Sequence, residues 1–102
     1  MKFLVITKPV YPIPPEAAPG LMDAMTAWVN QNTGSGKFEV TWAFAGKSGG
    51  GGIVNVDSLD ELDAIMVGFP FGPFSEIEIH LIVGLNDSIQ RSKQAFQTMA
   101  GS

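Results

Sequence analysis

Apolar residues follow two different spacings along this chain, and the spacings predict strands alternating with helices. Residues 2–10 form an apolar, β-rich run that ends near a proline, which is typical of a strand covered on both faces. Residues 38–44 place Phe38, Val40 and Trp42 on one side of a second strand. A glycine-rich segment at 46–52 predicts a hairpin turn, a returning strand follows at 53–56, and residues 76–83 alternate again as a fourth strand.

Three segments between these strands have the spacing or the end signals of helices. The first helix is predicted to begin between Pro15 and Pro19, to end before Gly36 and to pack flat on a sheet. Residues 58–61 read Ser-Leu-Asp-Glu, a capping box that starts a second helix, and Gly68 is its expected left-handed terminator. A last helix, capped near Asn86, has a weaker apolar edge, and we expect it to dock on a partner or on the rim of a barrel.

The element order is therefore βαββαβ followed by a helix, a ferredoxin-like α+β fold. Right-handed crossovers place both main helices on one face of a four-stranded antiparallel sheet. The other face is bare within one subunit, so two copies would cover each other's sheets as a dimeric α+β barrel. A length of 102 residues suits one domain spanning residues 1–102.

Composition excludes several classes of partner. The net charge is −4 and lysine and arginine are not clustered, so nucleic acid is not an expected partner. The chain has no cysteine, which excludes a disulfide framework and a thiolate nucleophile. No apolar run approaches the roughly 20 residues of a spanning helix, and the first residues are too soon interrupted by proline for a signal peptide. We expect a cytoplasmic protein without a membrane partner.

Aromatic residues concentrate in one loop. Residues 69–74 read Phe-Pro-Phe-Gly-Pro-Phe, which cannot continue a helix and is too apolar for an exposed loop. Phe71 and Phe74 are therefore predicted to form walls of a pocket that accepts a flat apolar ligand, in a loop held stiff by its two prolines.

The stretch between Trp42 and Ile79 has a distinctive set of positions. They are Trp42, the pair Ala45-Gly46, the approach to the second helix at 56–58, Pro70, and the step from 73–74 into Glu-Ile-Glu-Ile at 76–79. In these positions the chain resembles the muconolactone delta-isomerase family. It implies dimeric α+β barrel units and a cofactor-free isomerase that moves a proton within a small unsaturated lactone.

Such a proton transfer needs a base near neutral pH, and a carboxylate in an apolar cavity reaches that condition because desolvation raises its pKa. Glu78, His80 and Glu39 are the candidate catalytic residues. A metal site is not expected, since one imidazole and two carboxylates on one strand cannot converge on an ion. The candidate substrate-binding residues include groups that would steady an enolate oxygen and aromatic walls. They are Lys8, Tyr11, Trp42, Asn55, Phe71 and Phe74.

Other interpretations remain open. The glycine run is either a plain hairpin turn or a flap over the cavity mouth, and Glu39 and Glu78 are either catalytic or simply solvated and paired. Related barrels include cofactor-independent monooxygenases and polyketide-type cyclases. A homodimeric ligand-binding or assembly module without turnover is the third possibility.

Overall fold

The structure, a computed structural model, describes residues 1–101. Its elements follow the predicted order, with one 3₁₀ turn at Gly72–Phe74 before the fourth strand. They are β1 (Lys2–Pro9), α1 (Ala18–Gly34), β2 (Phe38–Ala43), β3 (Gly50–Asn55), α2 (Leu59–Val67), β4 (Ser75–Ile82) and α3 (Leu85–Gly101). The predicted α+β fold, with βαββαβ order and a C-terminal helix, is confirmed.

The four strands form one antiparallel sheet in the order β2-β3-β1-β4. Phe3 and Val5 of β1 are buried, together with Val54 of β3, and they pack with Leu62 of α2 and beside Trp28 of α1. We call this side of the sheet the helix face. Lys2, Leu4, Ile6 and Lys8 alternate onto the opposite side, which neither α1 nor α2 covers, and we call that side the open face.

An irregularity in β2 changes which side chains share a face. Phe38 pairs with Val54 but Val40 pairs with Ile53, so Glu39 is an extra residue in β2. An extra residue shifts the alternation by one position. Phe38 consequently lies on the helix face while Val40 lies on the open face. The prediction of one bulky face along this strand is wrong.

The glycine run is part of the sheet. β3 begins at Gly50, where the sequence predicted a turn as far as residue 52. A Cβ added at Gly50 would lie 2.3 Å from the carbonyl oxygen of Trp42, and one added at Gly51 would lie 2.4 Å from that of Val5. Glycine is needed at these positions because the backbones of neighbouring strands approach too closely for a side chain. The predicted turn is therefore too long, and residues 50–52 are part of the sheet and not a flap over the cavity mouth.

The capping box is confirmed at its main contact. The Ser58 hydroxyl accepts a hydrogen bond from the Glu61 N–H at 3.1 Å, whereas the Glu61 carboxylate accepts one from the N–H of Asp57, not of Ser58. The Lys37 ammonium also contacts Glu61. The hydrogen bond that the Lys37 ammonium donates to the Glu61 carboxylate lowers the pKa of Glu61 and raises the pKa of Lys37. Gly68 has φ −80°, so the predicted left-handed terminator is wrong.

α1 contacts the helix face through Trp28, whose ring lies 4.9 Å from that of Phe38, but none of its residues is buried and a cavity lies between much of the helix and the strands. The prediction that α1 packs flat on the sheet therefore holds at Trp28 and fails along the cavity. α3 projects away from the sheet, and the radius of gyration is 17.7 Å, compared with about 13 Å for a compact chain of this length.

Within the described residues, no helix combines the length and apolarity needed to cross a membrane.

Candidate functional site

A cavity of about 920 Å³ lies between the helix face of the sheet and α1. This volume is in the range of small-molecule sites. β1 and β3 provide its floor and α1 its roof, while the segment after β1 and the aromatic loop form its sides. Its wall includes Val5, Thr7, Tyr11, Ile13, Met22, Met25, Val29, Thr41, Ala43, Ser48, Met66, Phe69, Phe71 and Ser75.

Aromatic rings close one end of the cavity. The Trp28 indole N–H donates to the carbonyl oxygen of Ile65 at 3.1 Å, which ties α1 to α2. The Trp28 ring lies 4.9 Å from Phe38 and 5.2 Å from Phe69, and Phe69 in turn meets Phe71 edge-on at 6.2 Å. These distances are within the favourable range for aromatic pairs. The rings form a rigid wall suited to a flat apolar ligand.

The floor of the cavity presents very little side chain. Gly50 and Gly52 lie on the helix face, where they pair with Thr7 and Val5 of β1. Because neither glycine has a side chain, the backbone of β3 is exposed to the cavity between β2 and β1. The Thr7 hydroxyl donates to the Gly50 carbonyl at 3.4 Å, and on the other side Thr41 also lies on the helix face, paired with Gly52.

The cavity contains hydroxyl groups but no charged side chain. Among its lining residues in the described part of the chain, none is Asp, Glu, His, Lys or Arg. Its polar side chains are the hydroxyls of Thr7, Thr41, Ser48 and Ser75, with Tyr11 at the exposed rim. Such a lining suits an uncharged ring, because the hydroxyl groups can donate hydrogen bonds to oxygen atoms of the ring compound.

The three candidate catalytic residues lie on the open face, away from this cavity, with Glu39 on one edge strand and the other two on the opposite edge strand. Glu78 pairs with Ile6 and His80 with Leu4 in the sheet. Their side chains are exposed, and His80 Nε2 lies 2.7 Å from Glu78 Oε2. Across the sheet, Glu39 contacts the Lys2 ammonium at 3.1 Å.

The six candidate binding residues are divided between the two faces. Tyr11 and Phe71 line the cavity. Lys8 lies on the open face opposite Glu76, and Asn55 donates to Glu39 at 3.3 Å. The last two, Trp42 and Phe74, need separate description.

Trp42 borders the cavity, but the strand register places its side chain on the open face, against Gly51. Phe74 is half-buried, and its carbonyl accepts hydrogen bonds from Val10 and Tyr11 at 2.8 and 3.1 Å. The catalytic and binding roles of all nine residues stay predictions.

Sequence reasoning missed several cavity residues. Thr7 and Ser75 come from strands that were read only for their apolar pattern, and Met25 and Val29 from a helix that was expected to rest on the sheet. One sequence signal could have indicated the cavity, namely the run of four glycines at 49–52. These glycines leave β3 without side chains where it faces the cavity.

A four-stranded antiparallel sheet with an apolar cavity beneath one helix places the protein in the ferredoxin-like α+β class. The sequence profile of muconolactone delta-isomerase matches residues 1–83. The chain belongs to the muconolactone delta-isomerase family. α3 lies beyond the matched residues.

Two solved structures resemble this one. A crystal structure of muconolactone isomerase has a TM-score of 0.76 and 21% identity, covering 82% of this chain and 90% of the other. The second is 5-chloro-2-hydroxyhydroquinone dehydrochlorinase (TftG) from Burkholderia phenoliruptrix AC1100 in complex with 2,5-dihydroxybenzoquinone. It has a TM-score of 0.62 and 17% identity, covering 85% of this chain and 98% of the other. At these identities the likeness shows the shared fold. No curated protein sequence matches the chain significantly.

Proposed function

We propose that this protein binds a small, flat, mostly apolar ring, such as a lactone or cyclic ketone, in the cavity and isomerises it by cofactor-free proton transfer. The uncharged cavity of about 920 Å³, walled by aromatic rings and floored by backbone, carries the proposal. Family membership supports the reaction class. One related structure holds a dihydroxybenzoquinone, a flat ring of the expected size.

The reaction moves a proton without net gain or loss. A base removes a proton from the carbon beside the ring carbonyl, the enolate forms, and a proton returns at the far end of the unsaturated system. Hydroxyl donors such as Thr7 and Thr41 on the cavity wall are suited to stabilise the enolate oxygen. The base must reach the cavity from its rim or from another subunit, because no carboxylate, imidazole or amine of residues 1–101 lines it.

A paired test on α1 examines binding at the cavity. Val29 lines the cavity, whereas Ala27, two residues earlier on the same helix, is exposed and does not. We expect Val29→Phe to weaken binding of a simple unsaturated γ-lactone at least tenfold by filling the cavity, while Ala27→Phe leaves binding unchanged. Titration followed by NMR measures both. Equal affinities in the two variants would refute the cavity as the binding site.

Proton transfer is tested by following deuterium uptake from D₂O into the same lactone by NMR. Glu78→Gln and His80→Gln should abolish the exchange if the predicted bases act, whereas Val29→Phe should abolish it if the chemistry takes place in the cavity. Exchange that is lost only in Val29→Phe would remove Glu78 and His80 as bases. Binding without any exchange in the unmodified protein would refute the isomerase part of the proposal.

A second function, assembly through the open face, is favoured by one observation. The side chains of Glu78 and His80 are 64% and 53% exposed in the single subunit, and the large apolar side chains of Val40 and Trp42 are also exposed on this face. A second copy that covers the open face would complete the dimeric barrel expected from the sequence. Sedimentation velocity on the unmodified protein tests this, and a monomer at micromolar concentration would refute it.

A further inference from the structure

The cavity is longer than a single ring. Its floor follows β1 from Val5 to Pro9, four residue steps that span about 13 Å. Its roof follows α1 from Met22 to Val29, seven residue steps that span about 10 Å. Bond lengths and contact distances give a six-membered ring a length of about 7 Å including its van der Waals surface. One ring therefore occupies only part of the length of the cavity.

The inner end of the cavity is closed by aromatic rings. Phe38 pairs with Val54, which pairs with Phe3 near the start of β1. The Trp28 ring lies 4.9 Å from the Phe38 ring and 5.2 Å from the Phe69 ring. Phe38 and Phe69 are buried, so this end is apolar and turned away from solvent.

The outer end of the cavity, where β1 ends, is polar. Ser75 pairs with Pro9, the last residue of β1, and Tyr11 lies at the exposed rim. One row further in, the Thr7 hydroxyl donates to the Gly50 carbonyl at 3.4 Å, which is longer than the roughly 2.8 Å usual for a hydroxyl donor. This hydroxyl can exchange its long bond for a shorter one to a ligand. The outer end therefore suits the carbonyl oxygen of a ligand.

The inner half of the cavity suits neither a charge nor water. Along residues 1–101, no charged side chain lines the cavity, and Lys8, although it stands between the lining residues Thr7 and Pro9, lies on the open face. A carboxylate placed against the aromatic rings would lose its hydration without gaining a partner. A water molecule needs two to four polar partners, and the rings of the inner end offer few. The space beyond a first ring therefore suits a second uncharged apolar ring.

We infer that the substrate is an uncharged compound of two rings, fused or directly joined. The reacting ring places its carbonyl at the outer end, beside the Thr7 hydroxyl, and the second ring lies at the inner end against Trp28 and Phe69. A volume of about 920 Å³ agrees with this, because it is near the upper end of the range for sites that enclose drug-sized ligands. The inference rests on the proposed function and names the substrate class of the same site.

Three probes test the inference on the unmodified full chain by titration followed by NMR. 2(5H)-Furanone is an unsaturated lactone of one ring, coumarin is an unsaturated lactone of two fused rings, and coumarin-3-carboxylate adds a negative charge to the same two rings. Coumarin should bind at least tenfold more tightly than furanone, because its second ring removes further apolar surface from water. Coumarin-3-carboxylate should bind at least tenfold more weakly than coumarin.

Matched variants locate the second ring within the cavity. Val29 lies toward the inner end of α1, one residue after Trp28. Val29→Phe should weaken coumarin more than furanone, so that the ratio of their dissociation constants falls toward one. Ala27→Phe, at an exposed position outside the cavity, should leave the ratio unchanged. Thr7→Val should weaken both lactones by a similar factor, because it removes the hydroxyl that meets the carbonyl of either one. Circular dichroism of each variant verifies the fold.

The outcomes separate this inference from the proposed function. Equal affinities for furanone and coumarin, both weakened by Val29→Phe, would overturn the two-ring substrate and leave the cavity as the binding site of a single ring. A preference for coumarin that persists unchanged in Val29→Phe would also overturn it, since the second ring would lie elsewhere. Coumarin-3-carboxylate that binds as tightly as coumarin would refute the requirement for an uncharged substrate. Absence of binding by both lactones would refute the proposed function together with the inference.

Discussion

Replacing Gly51 by alanine should destabilise the protein, although the same replacement at Gly20 should stabilise it. A Cβ at position 51 would lie 2.4 Å from the Val5 carbonyl oxygen and 2.9 Å from the Trp42 ring, where real Cβ contacts are not found below 3.0 Å. Gly51 pairs with strands on both sides, so backbone must move to make room. Overpacking of this kind costs about 1–3 kcal/mol. Alanine also lowers the conformational entropy of the unfolded chain, and this offsets about 0.4–1 kcal/mol of the overpacking cost.

Gly20 is the matched control, since it lies in α1 and a Cβ there would meet no atom within 4 Å. Alanine in a helix is favoured over glycine by about 0.5–1 kcal/mol. Urea unfolding at one fixed protein concentration measures both variants. A net loss of about 1 kcal/mol for Gly51→Ala lowers the midpoint by roughly 0.5–1 M, while Gly20→Ala raises it. A Gly51→Ala midpoint at or above that of the unmodified protein would show that the strands do not approach as closely as described.

Three further predictions follow from individual contacts. Leu62→Ala should cost about 2–5 kcal/mol in urea unfolding because Leu62 is buried in the core, whereas Leu59→Ala, at a position 63% exposed, should change little; equal costs would contradict the described orientation of α2. Trp28→Phe should cost about 0.5–1.5 kcal/mol by removing the indole hydrogen bond to the Ile65 carbonyl, which keeps its bond from the Gly68 N–H, and an unchanged midpoint would mean that the indole bond does not tie α1 to α2. Because Lys37 lowers the pKa of Glu61 in the folded state, the carboxylate stabilises the fold above the unfolded pKa, and this contribution is lost as pH falls through the lower folded value. Glu61→Gln should therefore be less stable than the unmodified protein at pH 7, with the difference disappearing toward pH 3; a constant difference across this range would contradict the assigned ion pair.

Local signals in the sequence were sufficient to predict the elements and their order. The Ser58–Glu61 capping box marks a helix start, and the alternation at 76–83 marks a strand, because both depend only on neighbouring residues. The handedness of crossovers then places both helices on one face, which β1 confirms by burying Phe3 and Val5.

Features that depend on distant parts of the chain could not be predicted in the same way. The extra residue at Glu39 reverses the alternation of β2, and nothing in the local sequence marks it. As a result Thr41 lies on the helix face, whereas its neighbours Val40 and Trp42 lie on the open face. Glycines usually indicate turns, yet those at 50–52 belong to β3, because the requirement for glycine arises from the approach of β1 and β2.

The sheet separates two sets of groups that a proton-transfer enzyme would need together. Glu78 and His80 lie on the open face, whereas the aromatic rings and hydroxyls that suit a lactone line the cavity on the helix face. A ligand in the cavity of one subunit is therefore shielded from both candidate bases by hydrogen-bonded backbone. Chemistry at Glu78 would require a second copy to cover the open face, since the side chain of Glu78 is exposed in one subunit and a general base acts on a substrate that is held against it. Chemistry in the cavity would require a base from its rim or from another chain. Proton transfer at Glu78 is therefore expected to depend on the assembly, whereas a base at the cavity rim would act within one subunit.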